Sequence, residues 1–71
     1  MTDEEIKQRL EELEEKIKEG LHAISDYDYK MNQPHYTTRD IEIFKLNKKM
    51  EQESVSEYIQ EKKLLIKLKS K

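Results

Sequence analysis

Between Thr2 and Met31 the apolar residues fall at Ile6, Leu10, Leu13, Ile17, Leu21, Ile24, Tyr27 and Met31, three or four apart. Glu, Lys, Asp, Gln and Arg fill most of the gaps. This spacing draws one face of an amphipathic helix, expected over about residues 3–31. Thr2-Asp3-Glu4-Glu5 fits a capping box, and its acids suit the positive end of the helix dipole. A lone amphipathic helix cannot bury its own stripe, so the rest of the chain or a partner must cover it.

Gly20 is the one ambiguity in this helix. Mid-helix it costs about 1 kcal/mol against Ala. As a C-cap it would end the helix early, with Ser25 and Asp28 offering a restart. The stripe continues in phase past it, which favours one continuous helix and a close approach of another backbone at Gly20.

The run from Met31 to Thr38 breaks the period. Pro34 cannot continue a helix and pushes Gln33 out of the α region. Asn32 suits a helix end, and Thr37 or Thr38 suits the next N-cap, with Asp40 in the following first turn. A connection over 32–37 of this length makes antiparallel helical neighbours.

A second helix is expected over about residues 38–66, with a basic tail to 71. Ile41, Ile43, Phe44, Leu46 and Met50 give it a broad apolar face near the turn. The step of five from Met50 to Val55 reads as a phase slip, and Ser54-Val55-Ser56 lowers helix propensity there. Folding this helix back about Pro34 places Ile24 near Phe44, Gly20 near Lys48 or Lys49, Leu13 near Val55, Leu10 near Tyr58 or Ile59 and Ile6 beside Lys62 or Lys63. Charge agrees with that layout. Residues 3–19 hold eight acids against four bases, whereas Lys62, Lys63, Lys67, Lys69 and Lys71 close the chain without an acid. Exposed ion pairs are individually weak, so this argues for antiparallel pairing more than for stability.

Composition narrows the class. Of the 71 residues 34% are apolar and 42% charged, with one Gly, one Pro and no Cys. Such a chain is expected to be one small helical domain with a marginal core. Disorder is the competing reading, but the net charge is only −2 and the apolar residues are periodic. Without Cys there is no disulfide and no Cys-based zinc site. No apolar run reaches the about 18 residues of a membrane span, and the acidic start is unlike a signal peptide. A soluble, cytoplasmic protein is the expectation, and the Lys/Glu/Ile-rich composition hints at a bacterial or phage source.

No catalytic constellation emerges. His22 and Asp26 share a helix face, but His35 falls in the loop and no third ligand is spaced for a metal. No nucleophile triad and no Gly-rich phosphate loop can be built. The expectation is therefore no enzyme, no metal and no cofactor.

The run Ile41-Glu42-Ile43-Phe44-Lys45-Leu46-Asn47-Lys48-Lys49-Met50-Glu51 resembles the second helix of the small hairpin aspartyl-phosphatases of the sporulation phosphorelay. Their signature is Ser-Gln-Glu-Leu-Asp. The matching positions here are Asn47, Lys48, Lys49, Met50 and Glu51, so its Ser and Asp are both replaced and phosphatase activity is not implied. In length and layout the hairpin is also similar to the small co-chaperones of type III secretion needle subunits, a likeness of architecture and not of motif.

These observations predict an all-α antiparallel two-helix hairpin that pairs into a dimeric four-helix bundle or covers another protein's helix. Its expected work is protein–protein interaction, as a regulator, adaptor, inhibitor or co-chaperone. The apolar residues left over once the hairpin closes are the expected binding residues: Tyr27, Met31, Tyr36, Ile43, Phe44, Met50 and Tyr58. The alternative is nucleic-acid contact, with Lys62, Lys63, Lys67, Lys69 and Lys71 as candidate phosphate ligands.

Overall fold

The structure, a computed structural model, describes residues 2–69. Helix α1 spans Asp3–Met31 and helix α2 spans Thr38–Lys69, packed against each other as a hairpin. The hairpin is a rod of 52 × 14 × 13 Å with a radius of gyration of 16.1 Å. A compact domain of this length would have a radius near about 11 Å.

The ends of the helices follow the local chemistry of the sequence. The Thr2 hydroxyl accepts from the Glu5 backbone N–H at 3.2 Å and donates to the Glu5 carboxylate. At the other end of α1 the Asn32 side-chain amide donates to the Asp28 carbonyl at 3.0 Å, satisfying an orphan acceptor of the last turn. Thr37 and Asp40 form a reciprocal box: the Asp40 N–H donates to the Thr37 hydroxyl, and the Thr37 N–H donates to the Asp40 carboxylate, both at 3.2 Å. Helix α2 runs through Lys69, past the expected end near Ile66. No Gly or Pro interrupts it there, and Lys67 and Lys69 suit the negative end of its dipole.

Helix α1 passes Gly20 without a break, as the continuous stripe predicts. The seam position belongs to buried Gly20, while Leu21 points outward and is 54% exposed. What approaches Gly20 is a side chain and not a backbone. Val55 Cγ2 lies where a Cβ at Gly20 would stand. The expected neighbours of Gly20, Lys48 or Lys49, are replaced by Val55.

The reason lies in the seam of α2. Ile41, Phe44, Lys48, Glu51, Val55, Tyr58, Lys62 and Leu65 alternate three and four apart, a heptad seam with no slip. Three of its members are polar, so the apolar residues alone look out of phase. Met50 lies beside the seam and is exposed, so the apparent step of five joins two different faces. The polar members sit half-buried at the edges, where Lys48 pairs with Asp28 and Lys62 with Glu14.

Among the described residues the buried apolar side chains are Ile6, Leu13, Val55 and Leu65, and only Leu13 is wholly enclosed. Leu10 and Tyr58 pack against the cluster of Ile6, Leu13 and Leu65. Arg9 of α1 bridges to Glu61 of α2, with Nη2 donating to Oε1 at 3.0 Å. That pair reverses the polarity of the charge layout read from the sequence, whereas Lys62 with Glu14 at 3.6 Å follows it.

Candidate protein-binding surface

Of the aromatic residues around the turn, Tyr27, Tyr36 and Phe44 close that end of the hairpin, while Tyr29 stands 67% exposed. Phe44 stands between two tyrosines, 6.1 Å from the Tyr27 ring and 5.0 Å edge-to-face with Tyr36. His35 covers Tyr36 at 4.2 Å. The Lys30 ammonium lies 5.8 Å from the Phe44 centroid and 5.9 Å from that of Tyr27, within cation–π range. Tyr58 packs on the core and carries the Lys16 ammonium 5.6 Å above its ring. Tyr27, Met31, Tyr36, Phe44 and Tyr58 are all half-buried. Of the residues expected to bind a partner, these five spend much of their surface inside the hairpin.

Ile43 and Met50 do not. They are 47% and 59% exposed, and between them Leu46 is 61% exposed. Residues 43, 46 and 50 are spaced three and four apart, so they form one continuous strip on a side of α2 that α1 leaves open. Leu46 was visible in the sequence as part of the broad apolar face near the turn. The pattern there could not choose which of its members point inward, because two helical stripes overlap in that segment.

Further apolar exposures lie elsewhere on the rod. Leu21 and Ile17 line an open groove of about 460 Å³ with Glu14, Lys18, His22 and Lys62. Leu64 and Leu68 are 62% and 51% exposed among the lysines near the end of α2. In that segment Lys63, Lys67 and Lys69 are exposed, Lys62 is half-buried beside Glu14, and Lys71 lies outside the described residues. The acidic start of α1 lies alongside and offsets this positive charge.

Electrostatics elsewhere is structural in character. The Arg9 guanidinium, by its hydrogen bond, holds the Glu61 carboxyl below the ordinary carboxylate range, and Glu61 in turn holds Arg9 protonated. No charged or polar side chain is buried among the described residues. Nor do three His, Asp or Glu side chains converge there as a metal ion would need, and His22 and Asp26 both stand exposed. Among the described residues no helix is long and apolar enough to cross a membrane.

Fold and surface together define an all-α helical hairpin with an exposed apolar face on its second helix. Compared with known proteins, the chain matches no family model, no curated protein and no solved structure. Its function is therefore argued from this surface.

Proposed function

We propose that this chain is a small non-enzymatic protein-interaction module, and that the strip Ile43, Leu46 and Met50 is its working face. The supporting observation is that three large apolar side chains stand exposed in a row on a helix whose other side is already packed. A continuous strip of this kind is how amphipathic helices dock on one another. The size of the exposed surface agrees. The chain exposes 5728 Å², against about 4,700 Å² for a compact monomer of its mass. The excess of about 1,000 Å² is of the order that one partner gives to a standard interface. The occupant is a second copy, making four helices in all, or a helix of another protein. In this reading the chain acts in the cytoplasm as a regulator, adaptor, inhibitor or co-chaperone.

Nucleic-acid binding through the lysines of α2 is the weaker reading. Lys62 is engaged with Glu14, and the acids of α1 lie beside the remaining positive charge. Loss of any nucleic-acid binding with added salt would measure how many phosphates are contacted. The test of the leading proposal is a triple variant with Lys at 43, 46 and 50. It should keep its helical circular dichroism yet lose self-association and every protein captured by the wild-type chain from its host. Retention of all of these would refute the reading.

A further inference from the structure

The charges bordering the exposed strip of α2 say which occupant it fits. Arg39, Ile43, Leu46, Met50 and Glu53 continue one stripe in steps of four and three, with Leu46 at its centre. Glu42 and Lys49 each stand one position before an apolar member of the stripe, along one border of it. All four charged residues are exposed, and none forms an ion pair among the described residues. The charges are antisymmetric about Leu46. Arg39 lies seven positions before it and Glu53 seven after, while Glu42 lies four before and Lys49 three after.

We infer that the strip is a self-complementary interface in which α2 pairs antiparallel with α2 of a second copy, on a two-fold axis passing beside Leu46. This rests on the strip being a protein-binding face. In an isologous contact, whatever residue i meets, it meets twice. About an axis at Leu46, Ile43 packs on Met50 of the other copy and Leu46 packs on its own counterpart. Arg39 then faces Glu53 and Glu42 faces Lys49, each pair occurring twice, so that four ion pairs of opposite sign frame the apolar centre. Asp40 meets uncharged Gln52, and Lys45 meets Asn47, so no like charges oppose each other. A parallel pairing would instead set Arg39, Glu42, Lys49 and Glu53 each against itself. An axis moved to Glu53 would set Glu53 against its own counterpart and lay Leu46 on Gln60 and Met50 on Ser56, so that the apolar members no longer meet one another. Charge of this kind chooses partner and register more than it adds affinity.

The overlap is confined to the turn-proximal half of α2, a contact at the small end of specific interfaces, and it should dissociate in about the micromolar range. Sedimentation equilibrium of the whole chain at high micromolar concentration should give twice the 8.6 kDa monomer mass, and Leu46→Asp should return it to the monomer with its helicity intact. Because the chain has no cysteine, Leu46→Cys tests the axis directly. Under oxidation it should form a disulfide-linked dimer, since only a residue at the axis meets its own copy within bridging distance. Ile59→Cys should not. Glu42→Lys and Lys49→Glu should each weaken the dimer by about five- to tenfold, and the double variant should recover most of the loss. A wild-type monomer at high micromolar concentration, a dimer that survives Leu46→Asp, or cross-linking at Ile59→Cys and not at Leu46→Cys would each overturn the inference. A dimer formed through another face would defeat this geometry and leave self-association standing. A wild-type monomer whose triple Lys variant fails to capture a host protein that the wild type captures would defeat only the second-copy occupant.

Discussion

Val55 Cγ2 fills the space that a Cβ at Gly20 would need, so the only glycine of the chain stands where a side chain of the second helix packs directly against the first. In an isolated helix Ala would be favoured over this Gly by about 1 kcal/mol. Here the added methyl meets a β-branched side chain that is buried and has little room to turn. Overpacking of this kind costs about 1–3 kcal/mol, which exceeds the propensity gain. Gly20→Ala should therefore lower the thermal midpoint measured by circular dichroism, and Val55→Ala in the same chain should restore part of it. A rise in the midpoint for Gly20→Ala alone would mean that the helices lie further apart at this point.

The Arg9–Glu61 bridge predicts a pH dependence of definite sign. Arg9 holds the Glu61 carboxyl below its ordinary value, so the folded state binds this proton less readily than the unfolded one. The resulting stabilisation is complete above the ordinary glutamate range, near pH 4.3, and is lost as the pH falls through the lowered value. Glu61→Gln should be less stable than wild type at neutral pH, and the gap should narrow on acidification. Urea unfolding of both chains across that range measures it. A gap that is constant with pH would mean that Glu61 contributes packing and not charge. Both partners are half-buried and still reached by solvent, so the effect should be small and should shrink with added salt.

Phe44 ties α2 to the turn by meeting Tyr27 on α1 and Tyr36 in the connection. Phe44→Ala should lower stability by about 1–3 kcal/mol, less than for a fully enclosed ring because Phe44 is only half-buried. Phe44→Asp should lose helicity as well, since it removes both ring contacts and sets a carboxylate against the rings of Tyr27 and Tyr36. Tyrosine fluorescence should report looser packing of the turn end in both variants. Unchanged stability in Phe44→Ala would show that the aromatic cluster is ornamental to the fold.

The sequence makes some parts of this molecule far more legible than others. Caps are local, and Thr2 with Glu5, Asn32, and Thr37 with Asp40 stand where residue chemistry alone puts them. The seam of α1 is equally plain, because nearly all its members are apolar. Register was not, because α2 places Lys48, Glu51 and Lys62 in its seam and Ile43, Leu46 and Met50 beside it. Hydrophobicity then tracks two faces at once, and only packing separates them. Gly20 shows the limit well: the sequence marks a close approach there, but only the fold names Val55 as the residue that makes it. For the same reason the surface was half legible. Ile43 and Met50 stand exposed as expected, Leu46 joins them, and the aromatic residues first read as a partner's platform are largely consumed by the hairpin itself.

Whether the exposed strip of α2 is where one chain meets another can be read residue by residue. The most direct measurement is a dilution series of the uniformly ¹⁵N-labelled wild-type chain, following backbone amide resonances from millimolar to low micromolar concentration. A two-fold contact at the strip predicts shifts concentrated between Arg39 and Glu53 and centred on Leu46, with the amides around Leu21 and Leu64 unmoved. Resonances that do not change on dilution, or changes centred on Leu21 or Leu64, would contradict it.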